Sequence, residues 1–560
     1  MPNLAKAGCD ASPRKQAGVR GDVRDESELL AFARLGAPHH KPVFFHPTAR
    51  RAPTFPAHAA IAAWGASLRK RVCHALHSYR LLILLIALAL LHGALYATLV
   101  PPWQAPDETG HFEYAWLLAH LRRVPSRQDV SPGYEAQLID SLYRYRFGDY
   151  LSRPLPDEGP ARLDGFTRAI VARRARTVRG ERFSLSYAVQ ALATLPLEPK
   201  GMEAQLYAAR LSSVLLSALV VALAYLTFRQ LFPRRELPAL LAAGIVLLVP
   251  QHTLINAALS DGTLAEAGAA AAIYGWVRAF SRRFGPLEIV AIVAGTLIGN
   301  LSKNTVLFLI PVDLLLAAWW VVRHFWRGWR WWQAAALVAT LLLLAAGLWL
   351  WRDSALAQRA FSRLQGVVLP PDEWAWVDGN GRTFAQALLI THDTFWANFG
   401  WLNLPLSDRW YGAIAGLSLL ALLGWTIAPV RAPVRAGLAN RDSQPAPTPP
   451  GTAVRAGLAN RDSQPAPTSP ARWAIPMSVL LIGAAFTIYA WGYILSRAGR
   501  PYGFQGRYLF PVLIPYAYLL AGGWDHLTAG RRAPAHLLLA ALALLDTWSL
   551  ALYILPYYYG

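Results

Sequence analysis

Long apolar runs, almost free of charge, constrain the fold of this chain more than any other sequence feature. A largely apolar stretch of about 20 residues is long enough to cross the roughly 30 Å hydrocarbon core of a bilayer as a helix. The first such run is Leu81–Val100. Ten further runs lie at Leu206–Phe228, Leu237–Leu254, Thr263–Val277, Leu287–Leu301, Asn304–Val322, Trp332–Trp351, Tyr411–Val430, Trp473–Ile494, Tyr508–Gly523 and Ala535–Pro556. The pattern predicts an all-α polytopic membrane protein with about 11 transmembrane helices. Thr263–Val277 and Leu287–Leu301 are short and rich in alanine and glycine, a composition that suits close packing between helices.

The charge of the chain agrees with this class. Only 16% of the 560 residues are charged, whereas a soluble domain carries about a quarter. The net charge of +21 suggests a nucleic-acid partner at first, but the positions of the basic residues argue against one. Lys and Arg precede the first span at 69–71 and recur in alternate short connections, as expected for loops on the cytoplasmic side. The excess of positive charge therefore mostly reports membrane topology, and we predict no nucleic-acid partner.

This alternation predicts the orientation of the chain in the cell (inner) membrane. The N-terminus is expected in the cytoplasm and the C-terminus outside, with two large outer loops at about 101–205 and 352–410. One outer connection, with Arg497, Arg500 and Arg507, does not follow the charge rule. The only cysteines, Cys9 and Cys73, both precede the first span, so the sequence implies no disulfide framework.

Two segments are predicted to lie apart from the membrane helices. Residues 1–66 mix Pro, Arg and Ala without helical periodicity, which indicates a mobile cytoplasmic tail ahead of the membrane domain at 67–429. Residues 430–472 contain the same 15-residue stretch, VRAGLANRDSQPAPT, at Val434–Thr448 and again at Val454–Thr468. Two Pro/Ala-rich copies cannot stack into a solenoid core, so this segment is interpreted as a duplicated cytoplasmic linker before the C-terminal membrane helices at 473–560.

Unusual polar residues gather on the predicted outer side of the membrane. Ionisable residues near membrane depth are costly and tend to line functional cavities, whereas the mid-span positions here are mostly apolar, with Asp313 and Asp546 as the main exceptions. The motifs are PPWQAPDETGHF with Asp107, Glu108 and His111, LSDGTLAE with Asp261, GNLSKNT with Lys303, DTFWANFGWLN with Trp401, and GFQGRYLFP with Gln505, Arg507 and Tyr508.

These residue types suit group transfer from a lipid phosphate. A carboxylate assisted by a histidine can act as general base on a hydroxyl nucleophile. Lys and Arg at the same surface can hold a phosphate, with the guanidinium making a two-pronged contact. A lipid that carries the phosphate would keep its chain in the bilayer while its head group meets those bases. The sequence has no P-loop, no GxGxxG after a strand and no Cys/His zinc pattern, so nucleotide and zinc chemistry are not indicated.

Structural explanations stand beside the functional ones. Asp107 can cap a helix after Pro106, with Thr109 as a rival cap, and Asp261 can cap the fourth span. His111 can orient a neighbour by a hydrogen bond, and Lys303 can extend to the interface without a ligand.

Two further residues have similar alternatives. Arg507 can form a structural ion pair with Asp107 or Asp261 in place of binding a phosphate. Trp401, within Phe399–Trp401, can be an interfacial anchor.

Several of these stretches resemble those of a known bacterial membrane-protein family of unknown function, the domain-of-unknown-function 2142 type. They also resemble, more distantly, the GT-C superfamily of integral-membrane glycosyltransferases. The similar stretches spread from Pro101 to Pro515, and PPWQAPDETGHFEYAWLLA together with GFQGRYLFPVLIP are the most specific. One stretch departs from the family: where a Pro-Pro-aromatic motif is common late in the first loop, this chain reads RFSLSYAVQAL.

The resemblance implies a GT-C-like fold and a role for each motif. The acidic motif of the first outer loop supplies the catalytic base in that superfamily, which corresponds to Asp107 and Glu108, with a divalent cation as an optional cofactor beside them. The remaining polar residues would bind substrate. The implied reaction moves a sugar from a polyprenyl-phosphate-linked donor to an acceptor hydroxyl of a glycan, lipid or protein. The alternative is a transporter or flippase of a lipid-linked glycan intermediate, which would need polar residues through the membrane midplane.

Overall fold

The computed structural model describes residues 79–126, 128–129, 131–171, 183–233, 235–281, 284–325, 384–442, 473–497 and 504–560. The chain divides into two units, Met1–Leu81 and Leu82–Gly560, and nearly all the described residues lie in the second. The predicted tail at 1–66 and the predicted span Trp332–Trp351 lie outside the described residues.

Helices make up most of the described chain. We number them in chain order: α1 Tyr79–Leu99, α2 Glu108–Leu121, α3 Pro132–Arg144, α4 Gly165–Val171, α5 Leu185–Thr194, α6 Met202–Leu231, α7 Glu236–Leu248, α8 Pro250–Ala257, α9 Gly262–Ser281, α10 Pro286–Ser302, α11 Leu309–Phe325, α12 Phe384–Trp396, α13 Asp408–Asp442, α14 Ala474–Arg497, α15 Leu513–Leu527, α16 Arg532–Ser549 and α17 Leu555–Tyr559. Two-residue strands, β1 Asn398–Phe399 and β2 Leu404–Pro405, pair antiparallel between α12 and α13.

Membrane-spanning helices are a main feature of the described part. Five helices there are long and apolar enough to span: Tyr79–Leu99, Met202–Leu231, Asn304–Val321, Asp408–Ile427 and Arg532–Tyr559. The pair α7 and α8 makes a sixth if it counts as one bent span, and Pro286–Ser302 and Ala474–Tyr489 are shorter apolar helices. The all-α membrane class is therefore confirmed, whereas the total of about 11 spans stays a prediction.

Three predicted segments differ from the structure in a way that their residues explain. The run Leu237–Leu254 is not one straight span, because it bends by 54° at Val249. Pro250 begins α8 there, and proline has no N–H to donate and disfavours helical backbone in the residue before it.

The other two differences concern where helices begin and end. The tenth predicted span starts with a 3₁₀ helix at Gly506–Val512, which contains Pro511, and becomes α-helical only at Leu513. The predicted linker at 430–472 is helical over its first part, because α13 continues to Asp442 through residues such as Arg, Ala and Leu that favour helix. The rest of that linker lies outside the described residues.

Small residues allow α9 and α10 to pack closely, as the alanine- and glycine-rich composition of the two runs predicts. A Cβ atom at Gly268 would lie 2.6 Å from the carbonyl oxygen of Gly295 and 2.6 Å from the amide nitrogen of Gly299. No side chain fits at that distance, so the contact between the two backbones requires glycine. This contact holds the loops at the ends of the two helices beside each other, and these loops carry Asp261 and Lys303.

The described parts of both predicted large loops and the C-terminus lie at one end of the bundle, which we call the loop end. The hydroxyl of Tyr559 donates to the carbonyl of Leu99 at 2.9 Å, where α1 ends. Tyr150 in the first loop donates to the carbonyl of Tyr558 at 3.2 Å. Asn403, in the turn between β1 and β2, lies 2.8 Å from the hydroxyl of Tyr557. Which side of the membrane the loop end faces stays a prediction.

Candidate functional site

Two ion pairs meet at the loop end and form what we call the ion-pair cluster: Asp107, Asp261, Lys303, Arg507 and Tyr508. Arg507 Nη2 lies 2.8 Å from Asp107 Oδ2, and Lys303 Nζ lies 2.7 Å from Asp261 Oδ1. The ring of Tyr508 joins the pairs, because Lys303 Nζ and Arg507 Cζ each lie 5.6 Å from its centroid. Five residues that the sequence assigned to the site are therefore brought together from four separate segments of the chain.

Asp107 does not act as a helix cap, so that structural alternative is wrong, whereas the other one, an ion pair between Arg507 and Asp107, is present. Asp107 has the N-cap position of α2, but its side chain makes no capping hydrogen bond. Its backbone is left-handed, with φ of 63°, a conformation that aspartate tolerates better than most residues. The carboxylate is directed toward Arg507 instead, and about a third of the Asp107 side chain (32%) is exposed.

Arg507 is the most buried charge of the cluster, with 8% of its side chain exposed. Burial by itself lowers the pKa of the guanidinium, but the charges of Tyr508, Asp107 and Asp261 outweigh it and raise the pKa overall. Among the described residues, no partner accepts a hydrogen bond from Arg507 Nε. The guanidinium is thus permanently charged and retains a donor for an oxyanion.

The backbone of the QGRY segment is held tightly against α12. The Gly506 amide donates to Thr394 Oγ1 at 2.7 Å. A Cβ atom at Gly506 would lie 2.2 Å from the amide nitrogen of Phe395, so only glycine allows this approach. Gln505 directly precedes Gly506. Its Oε1 atom is buried and has no hydrogen-bond partner within the part of the chain that the structure describes. Gln505 therefore borders the cluster without contributing to its ion pairs.

Glu108 has a different environment from its neighbour Asp107. Its side chain is fully buried, and it forms a two-pronged ion pair with Arg210, at 2.8 Å to Nε and 2.6 Å to Nη2. Backbone amides of Trp103 and Leu259 also donate to its two oxygens, at 3.0 and 3.3 Å. Both carboxylate oxygens therefore already accept hydrogen bonds, and the geometry makes Glu108 an anchor of the first loop. The sequence analysis had instead assigned Glu108 to catalysis together with Asp107.

Arg210 extends this anchor to the end of α1. Its Nη1 donates to the carbonyls of Ala97 and Val100 at 2.9 and 2.6 Å, and its Nη2 donates to that of Pro101 at 3.0 Å. The guanidinium thus satisfies carbonyls at the end of the first span, which have no partner within the helix. Arg210 and Glu108 are 102 residues apart in the chain, so no local sequence pattern identifies them as partners.

His111 is held by the stretch that departs from the family pattern. Its Nδ1 lies 2.6 Å from the hydroxyl of Tyr187, and both side chains are buried. This contact agrees with the expectation that His111 orients a neighbour by a hydrogen bond. His111 lies one turn after Asp107, and its backbone amide donates to the carbonyl of Asp107 at 3.0 Å.

The same RFSLSYAVQAL stretch also positions the loops of the cluster. Gln190 Nε2 donates to the carbonyl of Ser260 at 2.7 Å, and Ser184 Oγ donates to the carbonyl of Ser302 at 2.9 Å. Ser260 and Ser302 immediately precede the carboxylate and the ammonium of one ion pair. The RFSLSYAVQAL stretch therefore supports the two loops that carry Asp261 and Lys303, a role that sequence reasoning missed.

Trp401 connects the two loops and lies apart from the ion-pair cluster. Its Nε1 donates to the carbonyl of Trp103 at 3.0 Å, and its ring packs edge-on against Phe147 at 5.8 Å. It joins an apolar core beneath the first loop that includes Phe112, Leu206 and Leu259. The tryptophan thus holds the second loop against the first.

A second polar network lies inside the bundle and was not recognised from the sequence. His252 Nε2 lies 2.8 Å from Glu266 Oε1, and Asn256 Nδ2 lies 2.9 Å from Glu266 Oε2. On the other side, His92 Nε2 lies 2.8 Å from Asp546 Oδ2. His92 and His252 both line a cavity of about 10 Å³ at the break between α7 and α8, which has room for about one water molecule.

The carboxylates of the first loop do not fit a divalent cation between them. Glu108 gives both oxygens to Arg210 and to backbone amides, so Asp107 and Glu108 cannot chelate one ion together. Across the described ranges, His, Cys, Asp and Glu form no group of three that could hold a metal.

The bundle, the two loops and the ion-pair cluster define a polytopic all-α membrane protein with a charged site at one end. Residues 90–515 match the model of the family described as predicted membrane protein (DUF2142). The match covers most of the chain, and the protein belongs to this family. No curated protein and no solved structure matches the chain.

Proposed function

We propose that this protein is a membrane glycosyltransferase of the GT-C type. It moves a sugar from a polyprenyl-phosphate-linked donor to a hydroxyl of a glycan, lipid or protein acceptor, at the outer face of the cell membrane. The observation that carries the proposal is the contact between a partly exposed carboxylate, Asp107, and a buried arginine, Arg507, with Lys303 and Asp261 across the Tyr508 ring.

The charges of the cluster suit an incoming phosphate. Two cations and two carboxylates are paired, so the site carries no net formal charge before the donor arrives. A phosphate that binds Arg507 through Nη2 and the available Nε would replace Asp107 as the partner of the guanidinium.

Release from Arg507 would leave Asp107 able to accept a proton. An ion pair stabilises the charged carboxylate and weakens it as a base, so displacement by the donor restores its basicity. Asp107 then removes the proton from the acceptor hydroxyl as that oxygen attacks the sugar carbon, and the phosphate leaves with the bonding electron pair. Arg507 and Lys303 stabilise the charge that develops on the leaving phosphate.

Two substitutions separate these roles in a transfer assay with purified protein and polyprenyl-phosphate sugars. Asp107→Asn keeps the shape of the side chain but removes the base, so we expect turnover to fall by roughly 100-fold or more while donor binding persists. Arg507→Ala weakens donor binding and turnover together, because it removes a charge-assisted contact from both the ground and the transition state.

Matched controls are available on the surface. Asp157 and Arg532 are exposed, and Asp157→Asn and Arg532→Ala should transfer sugar at the wild-type rate. If Asp107→Asn also keeps that rate in folded protein, the proposed reaction is wrong.

A second candidate, a transporter or flippase of a lipid-linked glycan intermediate, gains support from one observation. Transporters build polar sites at broken helices near the membrane midplane, and here the α7–α8 break carries the network of His252, Asn256 and Glu266. The sequence alone had indicated few polar residues at that depth.

Vesicles with a fluorescent polyprenyl-phosphate analogue distinguish the two candidates. A flippase moves the analogue between leaflets, and Glu266→Gln slows that movement while Asp107→Asn leaves it unchanged. A transferase with no flippase activity leaves the leaflet distribution as it is in protein-free vesicles.

A further inference from the structure

Asp313 is a carboxyl group near the middle of the span Asn304–Val321, and it has no cationic partner among the described residues. Its Oδ1 lies 2.7 Å from Trp276 Nε1, and its Oδ2 lies 2.5 Å from Thr296 Oγ1. Both contacts are to neutral groups. Two other carboxyls inside the bundle, Asp546 and Glu266, each have a histidine within 2.8 Å.

The surroundings of Asp313 provide little else that could stabilise a negative charge. On α9 the nearest base along the chain, Arg278, pairs with Glu288 at 2.8 Å. From the start of α14, the residues that line a small cavity with Asp313 are Trp473, Pro476, Met477 and Leu480, none of which titrates near neutral pH. Asp313 itself is partly buried, and its neighbours on the same face of α11, Leu309 and Leu316, are buried and partly buried, whereas Leu314 and Leu315 on other faces of the helix are more than 60% exposed.

We propose that Asp313 is a proton-binding site within the membrane, which holds its proton at neutral pH. An ionised carboxylate in a medium of low dielectric constant is costly unless it is paired with a cation, and the group takes up a proton instead. The neutral acid can still accept from Trp276 and donate its own proton to the hydroxyl oxygen of Thr296. The ligand of this site is a proton, independent of the sugar chemistry at the loop end.

A lipid-soluble carbodiimide tests the site by direct reaction. The O–H of a protonated carboxyl adds across one C=N bond, so that the oxygen bonds to carbon and the proton moves to nitrogen. The acyl group then migrates from oxygen to the other nitrogen, which carries no hydrogen, and the C–O bond to the central carbon becomes the carbonyl of a stable N-acylurea without loss of any atom. An ionised carboxylate lacks the proton that this addition requires.

We would treat the full-length protein in lipid nanodiscs with dicyclohexylcarbodiimide at pH 7 and map adducts by mass spectrometry. We expect an adduct at Asp313, and less modification at Asp546, which is paired with His92 and Tyr96. Equal modification of the two residues would contradict the inference that Asp313, which contacts only neutral groups, is protonated while Asp546, which is paired with a histidine, is not.

Infrared spectroscopy gives a second measurement that does not depend on reagent access. Wild-type protein at pH 7 should show a carbonyl band of a protonated carboxyl that is lost in Asp313→Asn. This substitution keeps the shape and a neutral polar group, so we expect it to fold. If the spectra of the wild type and of Asp313→Asn share the same bands in that region, Asp313 is ionised and the proposal is overturned.

Discussion

Removal of Arg210 should destabilise the protein far more than removal of an exposed arginine. We consider Arg210→Met, which retains apolar bulk and loses the charge. The change leaves the Glu108 carboxylate buried with only the amides of Trp103 and Leu259 as donors. It also leaves the carbonyls of Ala97, Val100 and Pro101 without the guanidinium that now donates to them.

The expected cost follows from these lost contacts. Loss of one partner from a buried ion pair costs about 3–5 kcal/mol, because the other charge remains buried and unpaired. Arg210 and Glu108 are 1% and 0% exposed, so solvent cannot replace the missing partner. Arg144, in contrast, is 58% exposed in its contacts with Asp140 and Glu203, and exposed pairs contribute about 0–1 kcal/mol.

The assay is unfolding in a fixed detergent by a denaturant series, followed by tryptophan fluorescence, for wild type, Arg210→Met and Arg144→Met. Glu108→Gln and the Glu108→Gln/Arg210→Met double variant complete a mutant cycle. We expect the double variant to be less destabilised than the sum of the single variants, since no charge then remains unpaired. Equal stability of Arg210→Met and Arg144→Met would refute the view that Glu108 anchors the loop, and would return this carboxylate to the candidates for catalysis.

Three more substitutions test other parts of the structure. Gly506→Ala should lower the free energy of unfolding by about 1–3 kcal/mol through overpacking against α12. Gly412→Ala, whose Cβ meets nothing within 4 Å, should not. Equal effects of the two substitutions in an unfolding assay would exclude the close approach of Gly506 to Phe395. Tyr187→Phe removes the hydroxyl that bonds a buried imidazole and should cost about 1 kcal/mol in the same assay; an unchanged midpoint would mean that the contact contributes nothing. In intact cells, an impermeant thiol reagent should label Asp157→Cys in the first loop and not Arg532→Cys at the start of α16; the reverse pattern would invert the proposed orientation.

Local sequence accounts for the class of this protein and for most of its helices. An apolar run reveals a helix by its length and composition alone, because every backbone polar group in lipid must be satisfied within the helix. Leu81–Val100 and Ala535–Pro556 were located within a few residues of the helices Tyr79–Leu99 and Arg532–Tyr559 for this reason. Even the bend at Val249 has a local cause in Pro250, although hydropathy by itself did not reveal it.

Only the tertiary structure decided how the polar residues pair. Asp107 and Glu108 are adjacent, yet the side chain of Asp107 is 32% exposed and that of Glu108 is fully buried, because successive residues at the start of a helix point in different directions. Asp107 meets Arg507 across 400 residues, and Glu108 meets Arg210 across 102. Such contacts depend on which helices pack together. The packing of Gly268 against Gly295 and Gly299, for example, depends on how the surfaces of two separate helices fit each other. Composition and periodicity do not reveal contacts between residues so far apart in the chain. The sequence therefore proposed a set of site residues, whereas the packed bundle determined which of them contact one another.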